Sequence, residues 1–190
     1  MRFVDLTKKV EQIACKNSLF FRFTMIYYKS MVRREVRWAG ITSSDHVLYI
    51  GGGPCPHTAL LINALTGAKV TIVDNDEKSV RSSLRLLKQK GVDDQISVLL
   101  QDGADLDPSG YSVIHMAVQI TPIEKVFNAV WQKADDDCVL LMRLPKNNVR
   151  KLYVHRELPS PVFIDESPRP LRKIKHGLIG NVGFTSIYIK

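Results

Sequence analysis

The chain has 190 residues, a length that fits one ordinary domain with a sizeable core. Its hydrophobic content of 45% and charged content of 24% are typical of a globular protein and exclude a disordered or fibrous chain, and its net charge is +8. No apolar run approaches the roughly 20 residues that would span a bilayer, and the first residues lack a signal peptide's apolar core, so we predict a cytoplasmic protein without a membrane partner.

The N-terminal region is predicted to be helical. Residues 5–39 include the aromatic-rich run FFRFTMIYYKSMVRREVRW, which contains neither Gly nor Pro. We expect two helices here, before the first strand. The chain would then consist of an N-terminal helical cap, residues 1–42, and an α/β domain, residues 43–190.

The centre of the chain alternates between predicted strands and predicted helices. The strands are VLYI (47–50), KVTIVD (69–74), QISVLLQD (95–102), YSVIHMAV (111–118) and DCVLLMRL (137–144). Helices are predicted from about Pro56 to Leu65, over 77–91, and from Pro122 to Trp131. Aliphatic strands that alternate with helices indicate a mostly parallel sheet covered on both faces, which is a doubly wound α/β domain.

The C-terminal region has two parts. Residues 145–170 contain five prolines and receive no assignment. Residues 171–190, LRKIKHGLIGNVGFTSIYIK, contain two β-like runs that flank glycine-containing turn residues. We therefore predict that the sheet ends in a C-terminal antiparallel hairpin.

The turn GGGPCP after the first strand predicts a ligand site. A strand that enters a glycine turn and then a helix places backbone N–H groups at the sheet edge where doubly wound folds bind ligands. The dinucleotide pattern GxGxxG would need a third glycine where Pro56 stands. This favours a ligand with an adenosine and a small charged tail, and leaves a dinucleotide dehydrogenase as the alternative.

Two acidic residues extend the predicted site. Asp74 ends the second strand, where its carboxylate can accept hydrogen bonds from both hydroxyls of a ribose. Asp102 ends the third strand in QDGAD, where it could meet an adenine amino group while Gly103 permits close contact. Asp is also a common turn former at strand ends, so each carboxylate alone is weak support.

The motifs VLYIGGGPCPHTALLI, VTIVDND, VLLQDGADL and CVLLMRL resemble, in order, those of class I S-adenosylmethionine-dependent methyltransferases. The resemblance implies the Rossmann-like methyltransferase fold and S-adenosylmethionine as cofactor. Gly51 and Gly53 would contact the methionine part, Asp74 the ribose, and Asn75 the adenine. The implied cofactor-binding residues are Gly51, Gly52, Gly53, Pro54, Asp74, Asn75, Asp102 and Gly103.

The loop GGGPCPHTALLI also resembles that of nicotianamine synthases, and the similarity continues weakly through YSVIHMAVQ, VLLMRL and NVGFTSIYIK. These enzymes share the fold and cofactor but transfer the aminocarboxypropyl group. They carry a tyrosine pair and an essential glutamate in an N-terminal helical region. Tyr27, Tyr28 and Glu35 are similar in type, although their spacing differs.

Three residues are candidates for catalysis. The segment HMAVQITP lacks the Asp/Asn-Pro-Pro-aromatic motif of amino-group methyltransferases, which argues against nucleobase or glutamine N-methylation. His115 in this segment is a candidate general base, with a structural role as its alternative. Glu35 is a second candidate, or else a solvated ion-pair partner. Tyr28 would either line an acceptor pocket or pack in the core.

Metal sites and partners are predicted from cysteine spacing and charge. Cys15, Cys55 and Cys138 form no CxxC or Cys/His cluster, so we expect reduced thiols and no metal site. Residues 1–40 and 143–176 each carry nine Lys/Arg against three Asp/Glu. These basic flanks would attract a nucleic acid or an anionic substrate, or form a solvated surface.

Taken together, the sequence predicts an S-adenosylmethionine-dependent transferase and favours methyl transfer to an unidentified acceptor. Proximity and orientation supply much of the catalysis of such a transfer, so the missing base motif does not argue against activity. The alternatives are aminocarboxypropyl transfer and a non-catalytic S-adenosylmethionine-binding module.

Overall fold

The computed structural model describes residues 18–149, 168–177 and 180–190. In chain order, the helices are α1 (Ser18–Ala39), α2 (His57–Thr66), α3 (Glu77–Lys90) and α4 (Ile123–Lys133). The strands are β1 (His46–Ile50), β2 (Lys69–Asp74), β3 (Ile96–Leu100), β4 (Val113–Met116), β5 (Val139–Pro145), β6 (Arg172–Lys175) and β7 (Val182–Ile189).

The strands form one sheet in the order β3-β2-β1-β4-β5-β7-β6. The first five strands are mutually parallel, whereas β7 is antiparallel to both β5 and β6. The prediction of a doubly wound, mostly parallel sheet with a C-terminal antiparallel hairpin is confirmed. The chain moves outward from β1 to β3 and then returns to β4, so the strand order reverses between β1 and β4.

Alternate residues of each strand point to opposite faces of the sheet. On one face, α1, α2 and α3 cover Val47 and Tyr49 of β1 and their neighbours; we call this the α1 face. On the other face, α4 covers Leu48 and Ile50. Phe127 and Trp131 of this helix form an aromatic trio with Tyr188 of β7, and we call this the α4 face.

Local signals set the ends of α3. The Asp76 side chain caps the first turn by accepting the Lys78 N–H at 3.3 Å and the Ser79 hydroxyl at 2.8 Å. At the other end, Gly91 has a φ of +66° and donates its N–H to Leu87 and Lys88 carbonyls. The predicted stop at Gly91 is therefore confirmed.

Helix α1 packs on α2 and shares the core of the sheet. Its Phe21 and Val32 side chains are buried within the α1 face. Near its end, Arg34 Nη1 donates to the Lys175 carbonyl of β6 at 3.0 Å. The sequence predicts two helices over residues 5–39, and one of them corresponds to α1. Residues 1–17, where the other is predicted, and 150–167 of the proline-containing segment lie outside the described residues.

Candidate functional site

A glycine turn joins β1 to α2 at the carboxyl edge of the sheet. Gly51 and Gly53 have φ values of +83° and +64°, in the left-handed region that favours glycine. Gly52 lies against β2, where an added Cβ would clash with Ile72 Cγ2. The turn stands where the strand order reverses, which is the position at which doubly wound folds bind ligands.

Asp74 ends β2 and is tied to this turn. Its Oδ2 accepts the Gly53 N–H at 2.7 Å, and its Oδ1 accepts the Asp76 N–H at 2.9 Å. Each carboxylate oxygen can accept a second hydrogen bond. Asp74 can therefore hold the turn and still accept the hydroxyl donors of a ligand lying against it.

The other predicted cofactor-binding residues lie at the carboxyl ends of the same strands. Pro54 is buried in the turn, and Asn75 is exposed immediately after β2. Asp102, just beyond β3, is exposed and accepts the Ala104 N–H at 2.9 Å, while Gly103 is buried. The structure brings these residues to three neighbouring strand ends, and their individual roles stay predictions.

A cavity lies beside the glycine turn. Its empty volume is about 430 Å³, and this volume includes space that is open to solvent. Its walls include the turn glycines and the side chains of Tyr28, Tyr49, Gln119 and Arg143. Of the three candidate catalytic residues, Tyr28 lines the cavity and the other two lie behind its wall.

His57 and Tyr28, which belong to a stack of three rings, lie in the wall of the cavity. The His57 ring stacks on Phe21 and on Tyr28, with centroid distances of 4.9 and 5.4 Å. Burial lowers the pKa of His57 to about 4, against the opposing effect of a backbone hydrogen bond with Cys55, so the ring is neutral at pH 7. His57 is only 4% exposed, so the ring does not point into solvent.

Two of the cysteines differ in state. Cys55 is disulfide-bonded in the structure, so the expectation of a reduced thiol is wrong there. Cys138 is a buried free thiol, and burial raises its pKa to about 11. Sequence spacing reveals only cysteines that are close along the chain, whereas folding can join distant ones.

A buried polar cluster lies next to the cavity on the α1 face. Its members come from α1, α2, β4, β5, β7 and the residue after β6: Glu35, Thr58, His115, Arg143, Thr185 and His176. All six are at most 8% exposed, in a region otherwise filled by apolar side chains. Burial of so many polar groups requires that they satisfy one another.

Glu35 is the centre of the cluster. Arg143 donates to it twice, from Nε to Oε1 at 2.9 Å and from Nη2 to Oε2 at 2.6 Å. The Thr185 hydroxyl donates to Oε1 at 2.6 Å, and His115 Nε2 lies 3.3 Å from Oε2. Burial alone would raise the pKa of Glu35, but the charge and hydrogen bonds of Arg143, aided by His115, hold it well below its ordinary value.

The two histidines of the cluster are neutral. Burial, and then the charge of Arg143, lower the pKa of His115 against the opposing effect of Glu35. Its Nδ1 atom is buried and has no hydrogen-bond partner among the described residues. Burial likewise lowers the pKa of His176 to about 4, and this ring lies between Arg34 Nη2 at 3.2 Å and Thr185 Oγ1 at 2.8 Å.

The sequence interpretation missed Arg143, Thr185 and His176. A signal for Arg143 was present, since one arginine follows a run of aliphatic residues in the strand VLLMRL. A charged residue in a strand covered on both faces needs a buried partner. Glu35 is only 1% exposed, so the alternative that it is a solvated ion-pair partner is wrong.

Within the described ranges, no helix is both long enough and apolar enough to cross a bilayer.

Known proteins are similar to part or nearly all of the chain. No protein-family model matches it. An L-histidine 2-aminobutanoyltransferase from Yersinia pestis is 28% identical over 72 residues, which are 38% of this chain and 27% of that protein. The match thus spans little more than a quarter of that relative's length.

Solved structures match over more of the chain. A variant of MtNAS in complex with S-adenosylmethionine has a TM-score of 0.79 and 17% identity, covering 98% of this chain and 74% of that one. MtNAS in complex with MTA and tNA has a TM-score of 0.78 and 21% identity, covering 98% of this chain and 72% of that one. An RNA methyltransferase from Salinibacter ruber in complex with S-adenosyl-L-homocysteine has a TM-score of 0.61 and 15% identity. The match covers 83% of this chain and 90% of that one.

At these identities the structural similarity establishes the fold. The chain has the Rossmann-like fold of the class I S-adenosylmethionine-dependent methyltransferases. For the fold, this confirms the resemblance stated from the sequence, including that to nicotianamine synthases.

Proposed function

We propose that this chain binds S-adenosylmethionine and transfers a group from it to an acceptor. The observation that carries the proposal is the link between Asp74 and Gly53 at the strand-order reversal. It holds a carboxylate with unused acceptor positions against a turn of three glycines. This arrangement suits a ribose and a small charged tail, and the proteins of similar fold include ones solved with such ligands.

The residues at the three strand ends would divide the cofactor between them. Asp74 would accept the ribose hydroxyls, Asn75 and Asp102 would lie beside the adenine, and the glycine turn would admit the amino acid tail. S-adenosylmethionine supplies a sulfonium whose attached carbons are electrophilic. The protein's contribution would be to orient an acceptor at the cavity wall formed by Tyr28 and His57, and to exclude water there.

We infer that the transferred group is the aminocarboxypropyl group. The relative from Yersinia pestis is by name a 2-aminobutanoyltransferase. MtNAS matches 98% of this chain, whereas the RNA methyltransferase matches 83%. Methyl transfer, which the sequence alone favours, is the second candidate because the fold is shared with that methyltransferase.

Calorimetric titration of S-adenosylmethionine into the wild type and Asp74→Asn tests cofactor binding. Asparagine can still accept the Gly53 N–H, but it removes the charge and one acceptor oxygen. We expect the dissociation constant to rise by about 10- to 100-fold, since hydrogen bonds to a charged group are worth about 1.5–3 kcal/mol.

Asp76→Asn is the matched control. It neutralises a carboxylate two residues away, where the side chain caps α3. Its affinity for S-adenosylmethionine should equal that of the wild type. Absence of binding by the wild type, or equal losses in both variants, would contradict the proposal.

The products of turnover separate the two transfer reactions. With L-histidine as the trial acceptor, aminocarboxypropyl transfer releases methylthioadenosine and methyl transfer releases S-adenosylhomocysteine. We expect methylthioadenosine by mass spectrometry. S-adenosylhomocysteine as the product would establish the second candidate.

A further inference from the structure

Glu35 is arranged to orient another residue. Four donors converge on its two oxygens: two N–H groups of Arg143, the Thr185 hydroxyl and His115 Nε2. A carboxylate has about four acceptor positions, so these donors occupy all of them. Glu35 therefore has no acceptor position left for a substrate, and its strongest contacts fix the plane of the Arg143 guanidinium.

Arg143 has donors that the cluster does not use. Of its five N–H bonds, two donate to Glu35 and a third, on Nη1, donates to Thr58 Oγ1 at 2.9 Å. The described residues accept no others. The side chain lines the cavity, and two of its N–H bonds have no acceptor among the described residues.

The surroundings of Arg143 favour an anion. Tyr28 and Tyr49 line the same cavity. The guanidinium carbon of Arg143 is 6.0 Å from the Tyr28 ring centroid. Arg34 contributes a second guanidinium at the far side of the cluster, through His176. Both cluster histidines are neutral, so the cluster and Arg34 together carry two guanidinium groups and one carboxylate, and their net charge is positive.

We propose that Arg143 binds a carboxylate in the cavity, and that Glu35 is the positioning residue that aims its guanidinium. This inference rests on the proposed function, which brings two such groups to the cavity: the carboxylate of the S-adenosylmethionine tail and that of an amino acid acceptor. A planar guanidinium fixed by its own carboxylate partner is preorganised for bidentate recognition.

Paired probes test the proposal and identify the source of the carboxylate. One pair is S-adenosylmethionine and its decarboxylated form; the other is L-histidine and histamine, titrated with saturating methylthioadenosine. In the wild type, we expect the carboxylate member of at least one pair to bind about tenfold or more tightly. The pair that shows this preference identifies whether cofactor or acceptor supplies the group.

Two variants remove the site in different ways. Arg143→Lys keeps a charge for Glu35 but loses the fork of donors. The double variant Glu35→Leu/Arg143→Met replaces the buried ion pair by apolar side chains, an exchange that proteins often tolerate. In both, the carboxylate preference should fall to less than about threefold, while methylthioadenosine, which has no carboxylate, should bind as in the wild type.

A preference that persists in either folded variant, or that is absent from both pairs in the wild type, would overturn the proposal and leave Arg143 as a structural brace. Leu140→Ala, a destabilising change on the α4 face, should retain the preference, so a loss there would also count against the proposal.

If the wild type binds neither S-adenosylmethionine nor methylthioadenosine, the proposed function itself fails and the inference fails with it. If only the preference is absent, the proposed function stands.

Discussion

The two faces of the sheet are built from the same strands but filled differently. In β4, Ile114 and Met116 join the apolar core of the α4 face, while His115 between them enters the polar cluster on the α1 face. In β5, Leu140 and Met142 alternate with Arg143 in the same way. One face is a continuous apolar core, and the other surrounds a charged pair.

This difference separates two tasks that one sheet performs. The α4 face gains stability from non-directional apolar burial, where side chains of similar volume can replace one another. The α1 face holds groups in fixed directions by hydrogen bonds, which tolerate substitution poorly when one partner is lost. A change on either face should therefore lower stability, but only the α1 face should also govern ligand binding.

Breaking the charged pair should have the largest effect. Glu35→Leu leaves Arg143 buried without its carboxylate, which should cost about 3–5 kcal/mol of unfolding free energy. Urea denaturation measures this loss. The double variant Glu35→Leu/Arg143→Met should recover most of it, because no buried charge is left unpaired. A single variant that loses less than about 1 kcal/mol, or a double variant no more stable than the single one, would contradict the buried ion pair.

An apolar truncation on the opposite face should give a somewhat smaller loss without a binding phenotype. Leu140 is 1% exposed, and Leu140→Ala should cost about 2–5 kcal/mol through lost burial and a residual cavity. The affinity for S-adenosylmethionine, measured by calorimetry well below the unfolding transition, should equal that of the wild type. A weakened affinity would show that the two faces are not separate in function.

Acidification should destabilise the α1 face through His57. Its pKa is about 4 in the folded chain, against about 6.5 when unfolded, so only the unfolded chain takes up this proton as the pH falls through that interval. Stability is therefore lost between about pH 6.5 and 4, by about 3 kcal/mol at most. His57→Phe keeps a stacking ring but does not titrate, and its urea midpoint should fall less between pH 7 and pH 4.5. An equal fall in the urea midpoint for both proteins would contradict a neutral, buried His57 ring.

A surface contact should show the smallest effect. Arg172 of β6 lies over the ring of Trp38 on α1, with its guanidinium carbon 3.8 Å from the centroid. Trp38 is 49% exposed, so Trp38→Ala should cost about 0.5–1 kcal/mol by thermal denaturation, without any change in ligand binding. Arg172→Gln should give a loss of similar size, and the double variant should cost less than the sum of the two. Additive losses would mean that the pair contributes nothing measurable.

The positions of the strands and the mostly parallel sheet were accessible to sequence reasoning. The continuous apolar runs in VLYI and VLLMRL predict strands covered on both faces, and Gly91 ends α3 because a left-handed residue is needed there. The glycine turn and Asp74 were also recognisable. Their spacing follows from the strand–turn–helix unit, which is local in sequence.

The polar cluster was not predictable in the same way. Glu35 and His115 are predicted candidates for catalysis, yet the residues that surround them are distant in sequence. Glu35 and His115 are 80 positions apart, and Glu35 and Arg143 are 108 positions apart. A sequence pattern shows which side of a strand a residue occupies but not which helix covers it. The distinction between a general base and a positioning carboxylate depends on the number of donors that reach its oxygens, which only the folded contacts reveal.

The contact between Glu35 and Thr185 has a consequence for the order of folding, since 150 positions separate the two residues. During synthesis α1 emerges long before β5 and β7, and until those strands exist its carboxylate has neither Arg143 nor Thr185 to meet it. Burying that charge alone would be costly, so α1 should stay undocked on a nascent chain and close over the sheet only after β7 has been translated. The cavity would then be among the last parts of the protein to form, and a chain stalled before β7 would present the glycine turn without its binding wall.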